Sequence, residues 1–136
     1  MDGQGKRKIL IAEDSEGVRR LLRYQLEHAQ YEVHLSRDGY DALGLMRKEP
    51  FDAVITDWDM PRLNGSEFLA LCRIFWPKTP VVVLSAHAVP IPGDFPRGAF
   101  AWINKPYKFE ELLEILGMAV QQTVQSGREQ AKLTTS

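Results

Sequence analysis

Asp57 closes the apolar run "FDAVIT" (51–56). A carboxylate at the tip of a buried strand is costly unless a charged group meets it. Other reactive residues stand at matching places. Glu13 and Asp14 follow "KILIA" (8–12), Ser85 ends "PVVVLS" (80–85), and Lys105 follows "FAWIN" (100–104). Three carboxylates brought together repel and demand a cation. Hard oxygens with no His or Cys beside them suit Mg2+, which keeps several waters and needs few protein ligands.

Bringing these residues together requires an ordered set of elements. Residues 8–12 form a continuous apolar run, the pattern of a strand buried on both faces. Ser15 can cap a helix, with Val18, Leu21, Leu22, Leu26 and Ala29 at helical spacing. "YEVHLS" (31–36) alternates like an edge or half-buried strand. A helix follows from Asp38 with Ala42, Leu43 and Met46, and stops before Pro50. Residues 51–56 make the third strand. Gly65 opens a helix with Phe68, Leu69, Cys72 and Phe75 on one face, ended by Pro77. Residues 80–85 and 100–104 are the fourth and fifth strands. The last helix starts near Lys108, with Phe109, Leu112, Leu113, Leu116 and Val120 as its apolar stripe. Strands alternating with helices predict an α/β fold, a doubly wound five-stranded parallel sheet. In such sheets ligands bind beyond the carboxyl ends of the strands, where strand order reverses. One interval breaks the alternation. "AHAVPIPGDFPRG" (86–98) occupies the place of a fourth helix, yet Pro90, Pro92 and Pro96 rule out a regular helix over most of it. A shortened helix or a Pro-rich loop, packed by Val89, Ile91 and Phe95, is expected there.

Composition sets the class. At 136 residues and 44% hydrophobic, the chain suits one domain with a real core. With 17 basic and 18 acidic residues there is no electrostatic case for direct nucleic-acid binding or for an anionic membrane surface. The single cysteine, Cys72, excludes an internal disulfide and reads as core filler. No apolar run reaches the roughly 20 residues of a membrane span, and "ILIA" is too short for a signal-peptide core. A cytoplasmic domain is expected.

The full set of positions resembles the response-regulator receiver domain, the phosphoacceptor module of two-component signalling, over residues 7 to 124. The resemblance rests on the acidic pair after strand one, the Asp after strand three followed by Met60, Pro61 and Gly65, the Ser ending strand four, and Lys105–Pro106 after strand five. It implies a flavodoxin-like strand order of 2-1-3-4-5. Residues 1–6 would be a flexible N-terminus, 7–125 the receiver and 126–136 a polar tail that frays. Asp57 would accept a phosphoryl group from a histidine kinase, a histidine phosphotransfer protein or a small phosphodonor. Glu13, Asp14, Asp57 and the backbone carbonyl of Asp59 would hold Mg2+, while Ser85 and Lys105 would contact phosphoryl oxygens. Ser85 and Trp102 would form the switch toward an unspecified downstream target, Asp59 and His87 would tune phosphoryl lifetime, and the Lys105–Pro106 bond would be cis.

Each residue alone has an ordinary reading: Asp57 a turn residue, Glu13 and Asp14 a helix cap, Lys105 a solvated lysine, Trp102 core packing. Three other functions compete. A Mg2+-dependent phosphohydrolase also uses an Asp nucleophile at a strand end, and Asp59 stands where its acid would be. It would want a substrate-enclosing cap domain, which these 136 residues do not supply. A flavodoxin-like cofactor binder is disfavoured by the acidic "EDSEGV" loop, where a phosphate cradle needs glycine or hydroxyl groups. A degenerate receiver that binds without phosphorylation is the third; segment 86–98 keeps it open.

Overall fold

The computed structural model describes residues 5–87 and 98–135, with side chains described as far as Thr123. Five strands, β1 (Lys8–Ala12), β2 (Glu32–Ser36), β3 (Ala53–Asp57), β4 (Val81–Ser85) and β5 (Ala101–Asn104), form one sheet in the order β2-β1-β3-β4-β5. Every neighbouring pair is parallel. The helices are α1 (Glu16–His28), α2 (Gly39–Lys48), α3 (Gly65–Phe75) and α4 (Phe109–Thr135). The interval 88–97, where the sequence pointed to a short helix or Pro-rich loop, lies outside the described residues. Helical backbone continues across 126–135, where a fraying polar tail was expected.

Alternation along the strands divides the core in two. Ile9, Ile11, Ala53, Ile55, Val82, Leu84 and Ile103 face α1 and α4, meeting Leu22, Leu26, Leu112 and Leu116. Leu10, Ala12, Val54, Val81 and Val83 face α2 and α3, meeting Met46, Phe68, Leu69 and Cys72. The central strands β1, β3 and β4 carry apolar residues on both faces because helices cover both.

Helix starts follow local chemistry. Ser15 Oγ accepts from the Val18 N–H at 3.4 Å, and Asp38 Oδ1 from the Asp41 N–H at 2.9 Å. Asn64 and Glu67 bond reciprocally, Asn64 Oδ1 accepting from the Glu67 N–H at 2.9 Å and Glu67 Oε1 from the Asn64 N–H at 3.1 Å. This capping box satisfies two otherwise unpaired donors.

Two apolar expectations need correction. Leu21 is 57% exposed and Phe75 65% exposed. Both lie on the border of their helix's apolar stripe. On α3, Trp76 continues the i, i+3, i+7 line through Leu69 and Cys72, and it takes the inward place instead of Phe75. Gly65 is needed for closeness. A Cβ there would lie 2.7 Å from Trp58 Cα, where the Gly65 N–H donates to the Trp58 carbonyl at 2.9 Å.

Candidate functional site: an acidic pocket at the carboxyl edge of the sheet

The strand order reverses between β1 and β3, so their carboxyl ends open side by side into one crevice. β3 delivers Asp57 there, 7% exposed, and the residue after β1 is Glu13, 3% exposed. The Glu13 N–H donates to the Ser36 carbonyl at 3.1 Å, which extends the sheet by one bond and aims Glu13 inward. Asp14 is solvent-exposed. One carboxylate oxygen from each of Glu13, Asp14 and Asp57 lies within 4.8 Å of the others.

One cation partly offsets them. Lys105 Nζ stands 3.4 Å from Asp57 Oδ2 and 3.9 Å from Glu13 Oε1. The Lys105 N–H donates to the Ser85 carbonyl at 2.7 Å, and the following Lys105–Pro106 bond is cis. Compensation is incomplete. Glu13 Oε2 accepts from the Ser15 N–H at 3.0 Å, but buried Oε1 has no hydrogen-bond partner. Burial pushes the Glu13 carboxyl up to about 7, against the Ser15 N–H, and the Asp57 charge adds to the rise. Tyr107 beside them is raised by its own burial and by the charges of Glu13 and Asp57.

The donor set is oxygen only. Three converging carboxylates, one with a buried oxygen lacking a partner, fit a small hard divalent cation and not a thiophilic one.

The remaining expected residues gather around this pocket. Ser85 is fully buried, and its Oγ accepts from the His87 N–H at 2.9 Å. The Asp59 N–H donates to Asp57 Oδ1 at 3.3 Å, and Asp59 Oδ2 pairs with His87 Nε2 at 3.0 Å. Trp102 is half-buried. Its indole N–H is shared between Asn104 Oδ1 at 2.9 Å and the His87 carbonyl at 3.3 Å. Its ring meets that of Trp58 at 4.8 Å between centroids, tilted by 59°.

Sequence reasoning missed Arg19. From the second turn of α1 its guanidinium donates to the carbonyls of Glu13 at 2.8 Å and Asp14 at 3.0 Å, fastening the backbone that carries both acids. The available signal was spacing: an arginine one to two helical turns past a capping serine reaches back over the loop before it. The Trp58–Trp102 contact was also missed, since it reaches from the end of β3 across β4 to β5 and does not come from sequence proximity.

Comparison with known proteins agrees with this geometry. The family model for the response regulator receiver domain matches residues 9–117. Response regulator MprA of Mycolicibacterium vanbaalenii is 37% identical over 109 residues, covering 78% of this chain and 47% of that protein. The DNA-binding transcriptional regulator NtrC of Bradyrhizobium is 33% identical over 114 residues, covering 82% of this chain and 24% of NtrC. The chain thus spans about half or less of the length of these curated relatives. Among solved structures, Vibrio cholerae chemotaxis protein CheY4 superposes with a TM-score of 0.78 at 32% identity, covering 84% of this chain and 98% of that one. Response regulator TrrA of Thermotoga maritima, solved with Mg2+ and beryllofluoride, gives 0.76 at 26% identity over 83% of this chain and 98% of its own. The chain belongs to the response regulator receiver domain family.

Proposed function

We propose that Asp57 is the phosphoacceptor of this receiver. The observation that carries the reading is the convergence of three carboxylates and one ammonium: Lys105 stands 3.4 Å from the Asp57 carboxylate, inside an acidic cluster short of positive charge. Phosphoryl transfer asks the protein for alignment and charge neutralisation more than for covalent chemistry. An Asp57 carboxylate oxygen attacks phosphorus, and the bond from phosphorus to the donor breaks. The donor, a histidine ring of a kinase or phosphotransfer protein or a small acyl phosphate, leaves with the electron pair. Lys105 then pairs with a phosphoryl oxygen as well as with the carboxylate.

Mg2+, held by Glu13, Asp14, Asp57 and the Asp59 carbonyl, would supply the positive charge that neutralises the phosphoryl oxygens; the structure of TrrA with Mg2+ and beryllofluoride supports this reading. Ser85 reaches the phosphoryl group once its Oγ releases the His87 N–H. That movement shifts the His87 carbonyl and with it the indole of Trp102, which makes Trp102 the switch residue. The Asp59–His87 pair lies over the same mouth and limits water access. Residues 7–125 form the receiver unit, and the phosphorylated surface acts on a target in the cytoplasm.

Incubation with acetyl phosphate and a divalent cation, read by intact mass, tests the reading. One base-labile phosphoryl group per chain is expected, and none on Asp57→Asn. Equal phosphorylation of that variant would overturn the assignment and favour the degenerate receiver.

A further inference from the structure

On the face of the sheet covered by α2 and α3, the carboxyl-terminal halves of the two helices leave a trough. A cavity of about 400 Å3 is bordered by Leu43, Met46, Arg47, Leu71, Phe75 and Trp76. A second, of about 310 Å3, shares Met46, Arg47 and Trp76 with it and continues toward Pro50 and Thr79. Beside them Ile74 is 67% and Phe75 65% exposed. A contiguous exposed patch with aromatic members and a polar border is the usual mark of a protein interface, and Trp and Arg are its frequent anchors.

The charge at its border is one-sided. Arg47 and Lys48 end α2, are both exposed, and have no carboxylate partner among the described residues. The acid at the same lip, Glu49, is engaged by Lys8 Nζ at 2.9 Å. Arg73 is committed to the carbonyls of Trp76, Pro77 and Thr79. The groups left for a partner are therefore a concave apolar floor and two cations.

We propose that this trough docks an amphipathic helix of a partner protein, with large apolar side chains on its buried face and carboxylates along its border. A groove between two helices accepts the ridge of a third, and the carboxylates meet Arg47 and Lys48. A second copy of the chain fits less well, because a two-fold interface would bring the same cationic border from both copies into one patch. The trough lies toward Phe51, at the opposite end of β3 from Asp57, the four residue steps from Ala53 to Asp57 spanning about 13 Å. It is a docking site separate from the phosphoacceptor pocket and independent of phosphorylation.

The test is a titration of the 15N-labelled full chain with a synthetic helical peptide. Its Leu and Phe fall at i, i+3, i+4 and i+7, with Glu on both borders; a counterpart carries Lys for every Glu. The expected result is that the Glu peptide shifts the Trp76 indole and the amides at the ends of α2 and α3, binding about tenfold tighter than the Lys peptide. Arg47→Glu with Lys48→Glu, at exposed positions, should reverse that preference. The chain treated with acetyl phosphate and Mg2+ should bind the Glu peptide within about twofold of the untreated chain, since the two sites are uncoupled. A larger change would overturn that independence, while a chain that takes up no phosphate yet binds the peptide fails the phosphoacceptor reading alone. Equal binding of both peptides, shifts confined to another face, or no binding at millimolar peptide would overturn the proposal. So would self-association in sedimentation that is abolished by Phe75→Glu.

Discussion

Glu13 and Asp57 are buried acids with one lysine between them, and that imbalance governs the chemistry of the pocket. A cation that binds only the folded state must stabilise it by mass action. Millimolar Mg2+ is expected to raise the melting temperature by a few degrees, and Asp14→Asn to remove most of that rise. Thermal melts of both proteins with and without Mg2+ check this; equal shifts would contradict it. Cys72 sits at the other extreme. Burial pushes its thiol up to about 12, so at pH 8 only about one thiol in ten thousand is thiolate. Native protein should react with a disulfide reagent orders of magnitude more slowly than urea-unfolded protein, and a comparable native rate would show that the α2–α3 side opens readily. The acids and Lys105 were legible because each closes or follows an apolar run. Arg19 was not, because it acts on backbone carbonyls and a charged residue on a helix otherwise reads as solvated.

At the scale of elements, caps and strand ends were the most readable features. Ser15, read as a cap, holds the start of α1; Asp38 and Asn64 hold the starts of α2 and α3 in the same way, though the pattern marked Asp38 only as a helix start and Gly65 as the opening of α3. Stripe borders were less readable. Leu21 and Phe75 have the right spacing but too few neighbours, since a residue at the edge of a stripe is buried only if the next element reaches it. Two substitutions separate these cases. Phe68 is fully enclosed between α3 and the sheet, so Phe68→Ala should cost about 3–5 kcal/mol in urea unfolding. Phe75→Ala should cost less than about 0.5 kcal/mol, as for other exposed positions. Equal costs would mean that Phe75 packs inward in solution. Gly65→Ala drives a methyl against the Trp58 backbone next to Asp57. It should lower stability and also quench or shift Trp58 fluorescence on Mg2+ addition, whereas an unchanged Mg2+ response would show that the loop absorbs the clash without moving Asp57.

For the whole molecule, alternating apolar runs and helical stripes were enough to give the parallel doubly wound sheet, because both faces of its central strands must be covered. The order 2-1-3-4-5 came from the family resemblance, and the topology agrees with it. The order puts Glu13 and Asp57 at adjacent strand ends and Lys105 two strands from Asp57, with Ser85 at the end of β4 between them. No helix among the described residues is long and apolar enough to cross a membrane. The curated relatives run well beyond the matched region, which covers 47% of MprA and 24% of NtrC. The central proposal is that Asp57 is the point of input. The most direct measurement is to phosphorylate the protein with acetyl phosphate and Mg2+, reduce the acyl phosphate with borohydride, and map the modified residue by fragment mass spectrometry. Homoserine at position 57 and nowhere else is the expected result. Reduction at Asp14, Asp59 or Glu13 with Asp57 unmodified would contradict it.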